Sequence, residues 1–329
     1  MYSVVIPKFG EPEVLDVREL PAPQPGPGQV AIDVAFAGVN YAEVLFRRGV
    51  VDLPLPFVPG IEVAGYVRAL GPDVQNLRVG QPVAALTIVD GGGYAEIVIA
   101  PAPLVFPLDD LDGQIDLATA AAFPSNVTTA FLVLSEVAHI RPGESVIVHA
   151  AAGGVGSAMG QMARCLGAGL VVGTVGSPDK IEYAMSLGYD KVFLREDFST
   201  AARAETGRSG FDIILDQVGG VTRTQSLALL NQLGRLVVMG NASSAEDVQL
   251  SANQLWFTSK AVLGFNLQAF SKEYPERVNA AARKALQLVA RGKVRVDVTD
   301  VLPLEQAAEA HRRIEQRATT GKLVLRLRG

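Results

Sequence analysis

Residues 144–156, ESVIVHAAAGGVG, constrain this chain more than any other stretch. Positions 145–149 form a short, apolar, β-branched run that reads as a buried parallel strand. The run breaks into small residues at 150–156, and 157–166 then has helical spacing that ends at Gly167. A strand feeding a helix through small residues suits a dinucleotide pyrophosphate, because backbone N–H groups can approach the phosphates and the helix N-terminus supplies positive potential. Ala151, Gly153, Gly154, Val155 and Gly156 are therefore candidate cofactor-binding positions, with Gly153 and Gly156 serving close approach. The pattern is A-x-G-x-x-G, with Ala151 where the usual fingerprint has its first glycine. A ligand-free βα turn would look the same locally, so the surrounding pattern must decide.

That pattern is strand-helix alternation. Strands are expected at 145–149, 170–174, 191–194, 212–215, 235–239 and 261–265, and helices near 157–166, 178–187, 222–230 and 249–258. This predicts a doubly wound α/β domain with six parallel strands. Ahead of it, LATAAAFPSNVTTAFLVLSEVAHI reads as two alanine-rich helices parted by Pro124. Earlier still, short runs at 2–6, 15–19, 29–37, 62–70, 83–86 and 94–100 are separated by PAPQPGPGQ, PLPFVPG and GPDV, which is the texture of a compact β-barrel. A short helix is expected at 40–48. The tail offers helices near 274–292 and 304–316 with strands near Val298 and at 322–327, which are expected to return to the first domain. The expected domains are 1–122, 123–265 and 266–329.

Composition narrows the function classes. A net charge of -5 and 49% hydrophobic residues give no basic footprint for nucleic acid and no signature of disorder. No apolar run nears the roughly 20 residues of a membrane span. The opening MYSVVIPKFGEPEV lacks a basic segment followed by an apolar core, so a cytoplasmic protein is expected. Cys165 is alone, which excludes an internal disulfide, and its place in an apolar helix predicts a core residue. His139, His149 and His311 are scattered without ligand spacing, so no metal site is expected.

Eight segments together carry a family resemblance: AGVNYAEVLFRRG (37–49), PFVPGIEVAGYV (56–67), LRVGQPVAAL (77–86), GGGYAEIVIA (91–100), AAAGGVGSAMGQMARCLGA (150–168), FDIILDQVGG (211–220), GRLVVMGNAS (234–243) and TTGKLVL (319–325). With them the chain resembles the zinc-free quinone oxidoreductases and enoyl reductases of the medium-chain dehydrogenase/reductase superfamily, relatives of zeta-crystallin. The resemblance implies an α/β fold in which a GroES-like β-barrel catalytic domain is split around a Rossmann cofactor domain. It also implies hydride transfer from NADPH to a quinone or an α,β-unsaturated carbonyl. Two alternatives stay open: a pathway-specific enoyl reductase, and a non-enzymatic NADPH-binding protein. A homodimer formed through the edge of the parallel sheet is expected as well.

Zinc alcohol dehydrogenases of the superfamily place ligands where this chain has Asn40, Ile61 and a residue near Ser125, none of them a strong zinc ligand. The looped-out cysteine lobe that holds structural zinc is also missing. The resemblance puts Asn40 beside the nicotinamide ribose and the acceptor carbonyl, although an asparagine before 42–46 could simply cap a helix. It gives Thr128, Phe265 and Leu267 cofactor contacts, while Asn241 and Ser243 are candidates because they follow the fifth strand at the carboxyl edge, where open sheets bind ligands; Thr128 could instead bond back to its own helix. The tyrosine that many relatives carry after R-x-G is absent, since Val51 or its neighbour stands there. Tyr41 and Tyr94 remain as candidate proton donors, with Asp52 weaker, though either tyrosine could be a packed aromatic. For the cofactor's 2′-phosphate, Val175 replaces the carboxylate of NAD-selective domains, and Ser177 and Lys180 are the expected partners. Asp179 is expected to turn to solvent, and Leu194 stands where some relatives have a phosphate-touching tyrosine.

Overall fold

The computed structural model describes residues 1–206 and 210–327. The chain forms two compact units: Met1–Thr128, Leu267–Gly292 and Val296–Gly329 in one, Thr129–Asn266 and Lys293–Arg295 in the other.

In chain order the first unit begins with β1 (Tyr2–Val5) and β2 (Asp16–Glu19), an antiparallel pair. It continues with β3 (Gln29–Val39), β4 (Glu62–Leu70), β5 (Pro82–Leu86), β6 (Ile97–Pro101) and β7 (Val105–Pro107). All are antiparallel neighbours: β3 pairs with β4 and β6, and β5 with β4 and β7. Val30, Ile32 and Val34 alternate along β3 and share one core with Val63, Val67 and Val83, which is the period-2 pattern expected of strands with one buried face. Two features depart from the sequence reading. Tyr94 accepts from Val4 N–H and donates its own N–H to Pro59 O, and Ala95 makes an isolated bridge to Ser3, none of it part of a ladder, so the strand expected at 94–100 starts at Ile97. Strand β7 was not expected at all.

The second unit carries β8 (Ser145–Val148), β9 (Leu170–Val175), β10 (Lys191–Leu194), β11 (Phe211–Asp216), β12 (Leu230–Val238) and β13 (Ala261–Gly264). They form one parallel sheet in the order β10-β9-β8-β11-β12-β13, as a doubly wound sheet requires. The helix Phe198–Thr206 was missed by the sequence reading. Among its described side chains only Phe198 and Ala202 are anchored in the core, too few apolar positions to make a period visible. Cys165 is a correction: it is exposed, because Met159, Met162 and Ala163 form the buried face of its helix and position 165 lies off that face. Partial burial raises its thiol pKa, so it is no ready nucleophile.

The returning tail supplies the missed helix Leu267–Glu273, the helix Pro275–Ala290, and strands β14 (Val298–Pro303) and β15 (Lys322–Arg326). β15 runs parallel to β14 and antiparallel to β3, with Leu323 opposite Val39. The seven-stranded sheet therefore takes its strands from both ends of the chain. Among the described residues, no helix is long and apolar enough to cross a membrane.

Candidate active site

The small-residue turn follows β8. Ala150 takes a positive φ, Ala151 N–H donates to Thr174 O at 2.8 Å, and Gly153 caps the helix Gly154–Cys165. The first i→i−4 bond runs from Ser157 to Gly153, so the N–H groups of Gly154, Val155 and Gly156 come before it and are open to an anion. The two fingerprint glycines are not equivalent. A Cβ on Gly156 would lie 2.2 Å from Ala150 O, whereas one on Gly153 would lie 3.3 Å from the same atom. Gly156 is the position at which close packing forbids a side chain.

Strand β9 ends at Val175, which is buried, so no carboxylate stands at that corner. Ser177 begins the turn to Lys180, and Asp179 is exposed there, as expected. The Ser177 side chain hydrogen-bonds the Asp179 carboxylate and holds it below its usual pKa. The sequence reading missed Arg195, the residue after β10. Its N–H bonds Val175 O at 2.9 Å, and its Nη2 lies 3.0 Å from where Gly176 would carry a Cβ. A cation one residue beyond Leu194 was the available signal.

Beyond β11, Asp216 Oδ1 accepts from Val218 and Gly219 N–H, and its other oxygen pairs with buried Arg223 at 2.9 Å. Arg223 reaches on to Gly240 O at 2.8 Å, which ties the loops after β11 and β12 together. Asn241 is exposed and braces its own loop, with Nδ2 on Ala245 O at 2.8 Å and Oδ1 accepting from Ser243 Oγ at 3.0 Å. Phe265 N–H bonds Val238 O at the end of β13's path. Beneath the turn, His149 bonds Thr174 and Ser226 through its two ring nitrogens, and burial pushes its pKa down to about 4.

In the first unit, Asn40 precedes the helix Tyr41–Arg47 and closes a capping box with Glu43, its N–H meeting Glu43 Oε2 at 2.8 Å. The capping role and a site role thus coexist. Its Nδ2 donates to Glu62 Oε1 at 2.8 Å, and its Oδ1 accepts from Lys322 Nζ at 2.7 Å. Lys322 also pairs with Glu62 at 2.5 Å, and Glu62 Oε2 accepts from Ser125 N–H at 2.7 Å. Gly38 makes room for this cluster, since a Cβ there would lie 2.3 Å from Glu62 Oε1. Glu43 is fully buried; desolvation pushes its pKa up to about 7, against the pull of Lys322 and two backbone donors. Thr128 Oγ1, also fully buried, has no hydrogen-bond partner, so it does not bond back to its helix. Leu267 is buried at the start of its helix.

Tyr94 is a correction. It is 0% exposed within the barrel core, with its hydroxyl 3.4 Å from His311 Nε2, and burial raises its pKa well above the usual phenol value. A sealed phenol of that kind is packing, not a proton donor to substrate. Tyr41 is half-buried at the first turn of its helix.

A split, largely antiparallel barrel joined in sequence to a doubly wound sheet with a glycine turn defines a nicotinamide-dependent oxidoreductase architecture. Residues 26–110 match the family described as alcohol dehydrogenase GroES-like domain, and residues 154–283 match zinc-binding dehydrogenase. The chain is 31% identical to the quinone oxidoreductase of Sus scrofa, over 99% of this chain and 98% of that protein. It is 34% identical to a probable quinone oxidoreductase of Schizosaccharomyces pombe, over 98% and 96%. Its fold matches the Escherichia coli quinone oxidoreductase complexed with NADPH at a TM-score of 0.90, with 29% identity over 99% of this chain and 100% of that one. The chain belongs to the quinone oxidoreductase family of the medium-chain dehydrogenase/reductase superfamily, and it is an enzyme of quinone reductase type.

The word zinc in the matched family prompts a test of fit. Asn40 has its amide engaged by Glu62 and Lys322, Ile61 offers no donor atom, and Ser125 is held to Glu62 through its backbone. Both carboxylates here are already engaged, Glu62 by the Lys322 ammonium and Ser125 N–H, Glu43 by the N–H groups of Asn40 and Ile61. The residues do not fit a metal. Among the described residues, no group of three His, Cys, Asp or Glu side chains is placed to hold one elsewhere.

Proposed function

We propose that this enzyme is a metal-free, cytoplasmic NADPH-dependent reductase that delivers hydride to a quinone or an electron-poor enone. The observation that carries the reading is the donor set at positions 40 and 61: the Asn40 amide is already bonded to Glu62 and Lys322, and Ile61 offers no donor atom. An alcohol needs a Lewis acid to become a good hydride donor, whereas a quinone or enone is already electrophilic. NADPH, when bound, supplies the hydride. The backbone N–H groups of Gly154, Val155 and Gly156 receive the pyrophosphate. Thr128, with its unpartnered hydroxyl, supports the cofactor reading, as do Asn241, Ser243, Phe265 and Leu267 by their positions. Ser177, Lys180 and Arg195 receive the 2′-phosphate, with Val175 offering no opposing charge. Asn40 donates to the acceptor oxygen as negative charge develops there. With Tyr94 sealed in the core, the proton comes from water.

The reading is tested by NADPH oxidation assays with naphthoquinone, simple enones and enoyl thioesters, before and after chelation. Turnover of quinone or enone that survives chelation is expected. Stoichiometric zinc lost together with activity would overturn the metal-free reading, and turnover on enoyl thioesters alone would mark a pathway-specific enoyl reductase. We also propose a homodimer through the β13 edge, supported by the adjacent, largely exposed Trp256 and Phe257. A monomer by light scattering at micromolar concentration counts against it.

A further inference from the structure

We propose that Lys322 is a positioning residue that fixes the Asn40 amide as a one-way hydrogen-bond donor toward the acceptor oxygen. This rests on the reading of Asn40 given above. An asparagine amide can be turned either way, and which face it shows is set by its partners. Here both partners are single-minded. An ammonium only donates, so Lys322 Nζ at 2.7 Å requires Oδ1 on its side. A carboxylate only accepts, so Glu62 Oε1 at 2.8 Å requires Nδ2 on the other. The flipped amide would place oxygen against carboxylate and N–H against ammonium, both repulsive.

The consequence is a fixed chemical polarity. One Nδ2 hydrogen is committed to Glu62, and the other is the amide's remaining donor. Asn40 can therefore meet a carbonyl or a developing oxyanion, and it is a poor partner for a hydroxyl donor. The ammonium on Oδ1 also withdraws charge from the amide, which strengthens the remaining N–H as a donor.

Lys322 is itself fully committed. Its three donors meet Glu62 Oε1, Asn40 Oδ1 and Val39 O, the last at 3.1 Å. The register of β15 on β3, Leu323 opposite Val39, brings residue 322 beside residue 40 without any loop. Buried pairs of this sort seldom add stability over apolar residues of similar volume, which makes orientation the better account of why one is kept here.

A double-mutant cycle of Asn40→Ala and Lys322→Met tests the proposal in steady-state kinetics with a quinone acceptor. Lys322→Met alone should lower kcat about 10- to 50-fold with NADPH affinity changed less than about 3-fold. Added to Asn40→Ala it should cost less than about 2-fold, because residues acting through one another are not additive. Losses that multiply, wild-type kcat in Lys322→Met, or a change confined to KM would each overturn the proposal. Asn40→Asp, which leaves Lys322 in place, guards against a Lys322 variant that does not fold. An aspartate cannot donate, so its kcat should match that of Asn40→Ala, and wild-type kcat would overturn the proposal. Wild-type kcat in Asn40→Ala itself would instead bring down the role of Asn40 in the proposed function.

Discussion

The turn at 150–156 and the pocket around Asn40 handle charge with different material. In the turn, the groups offered to a ligand are backbone N–H donors, and the side chains matter by being small or absent. In the pocket, an ammonium, two carboxylates and an amide do the work, all buried. Backbone donors cannot be mistuned by a change of protonation, but they fail at once if the chain cannot approach. Buried side chains are instead exposed to every perturbation of charge.

Four experiments break or sharpen that contrast. Asn40→Ala should have the largest effect, lowering kcat by about 100- to 1000-fold with little change in NADPH affinity, as expected for a donor felt mainly in the transition state. A loss that appears only in KM would mean the pocket merely binds. On the backbone side, Gly156→Ala should weaken NADPH by about 100-fold, near 3 kcal/mol, while Gly153→Ala costs less than about 5-fold. Fluorescence titration of both variants reads this directly, and equal losses would show that the turn is not limited by the 2.2 Å approach at Gly156.

Lys180→Ala should weaken NADPH roughly 10- to 150-fold and leave NADH almost unchanged, since a charge-assisted bond to phosphate is lost. Arg195→Ala should act in the same direction. An equal loss for both cofactors would remove these residues from the phosphate site and leave the second unit's recognition to backbone alone.

The smallest effect concerns pH. Glu43 is raised from 4.5 to about 7 in the folded protein, so the folded state holds a proton that the unfolded state has released between those values. Its contribution to stability is present at low pH and is lost as pH rises through about 7. His149 and His311 act with the opposite sign: burial lowers them to about 4 and about 3, so stability falls as pH drops below 6.5. Urea unfolding of wild type and Glu43→Gln across pH 5 to 8 isolates the first effect as the difference between the two curves. A difference independent of pH would show that Glu43 stays charged.

These two regions were also unequally legible. The turn is contiguous, so its strand, glycines and helix could be read directly from 144–167. The six-stranded sheet followed from the same local alternation. The pocket could be read only in part. Asn40 stood out by resemblance, but the sequence separation between Asn40 and Lys322 is 282, and nothing near either residue announces the other. Glu62 and Glu43 looked like ordinary charges within a strand and a short helix. Tyr94 failed as a candidate for a related reason, because whether an aromatic faces a core or a ligand depends on strands far away in sequence. Arg195 reaches Gly176 only through the pairing of β10 with β9, which its own neighbours in sequence do not announce.

The pairing of β15 with β3 also orders events during synthesis. Chains emerge from the ribosome N-terminus first, at about 5–20 residues per second, and domains fold as they become complete. All of the second unit's strands precede residue 265, so its sheet can form while the C-terminal strand is still being made. Asn40 must wait for Lys322, which is built among the last residues of this sequence. A chain that stops short of β15 would have every strand of its parallel sheet and a pocket without its cation.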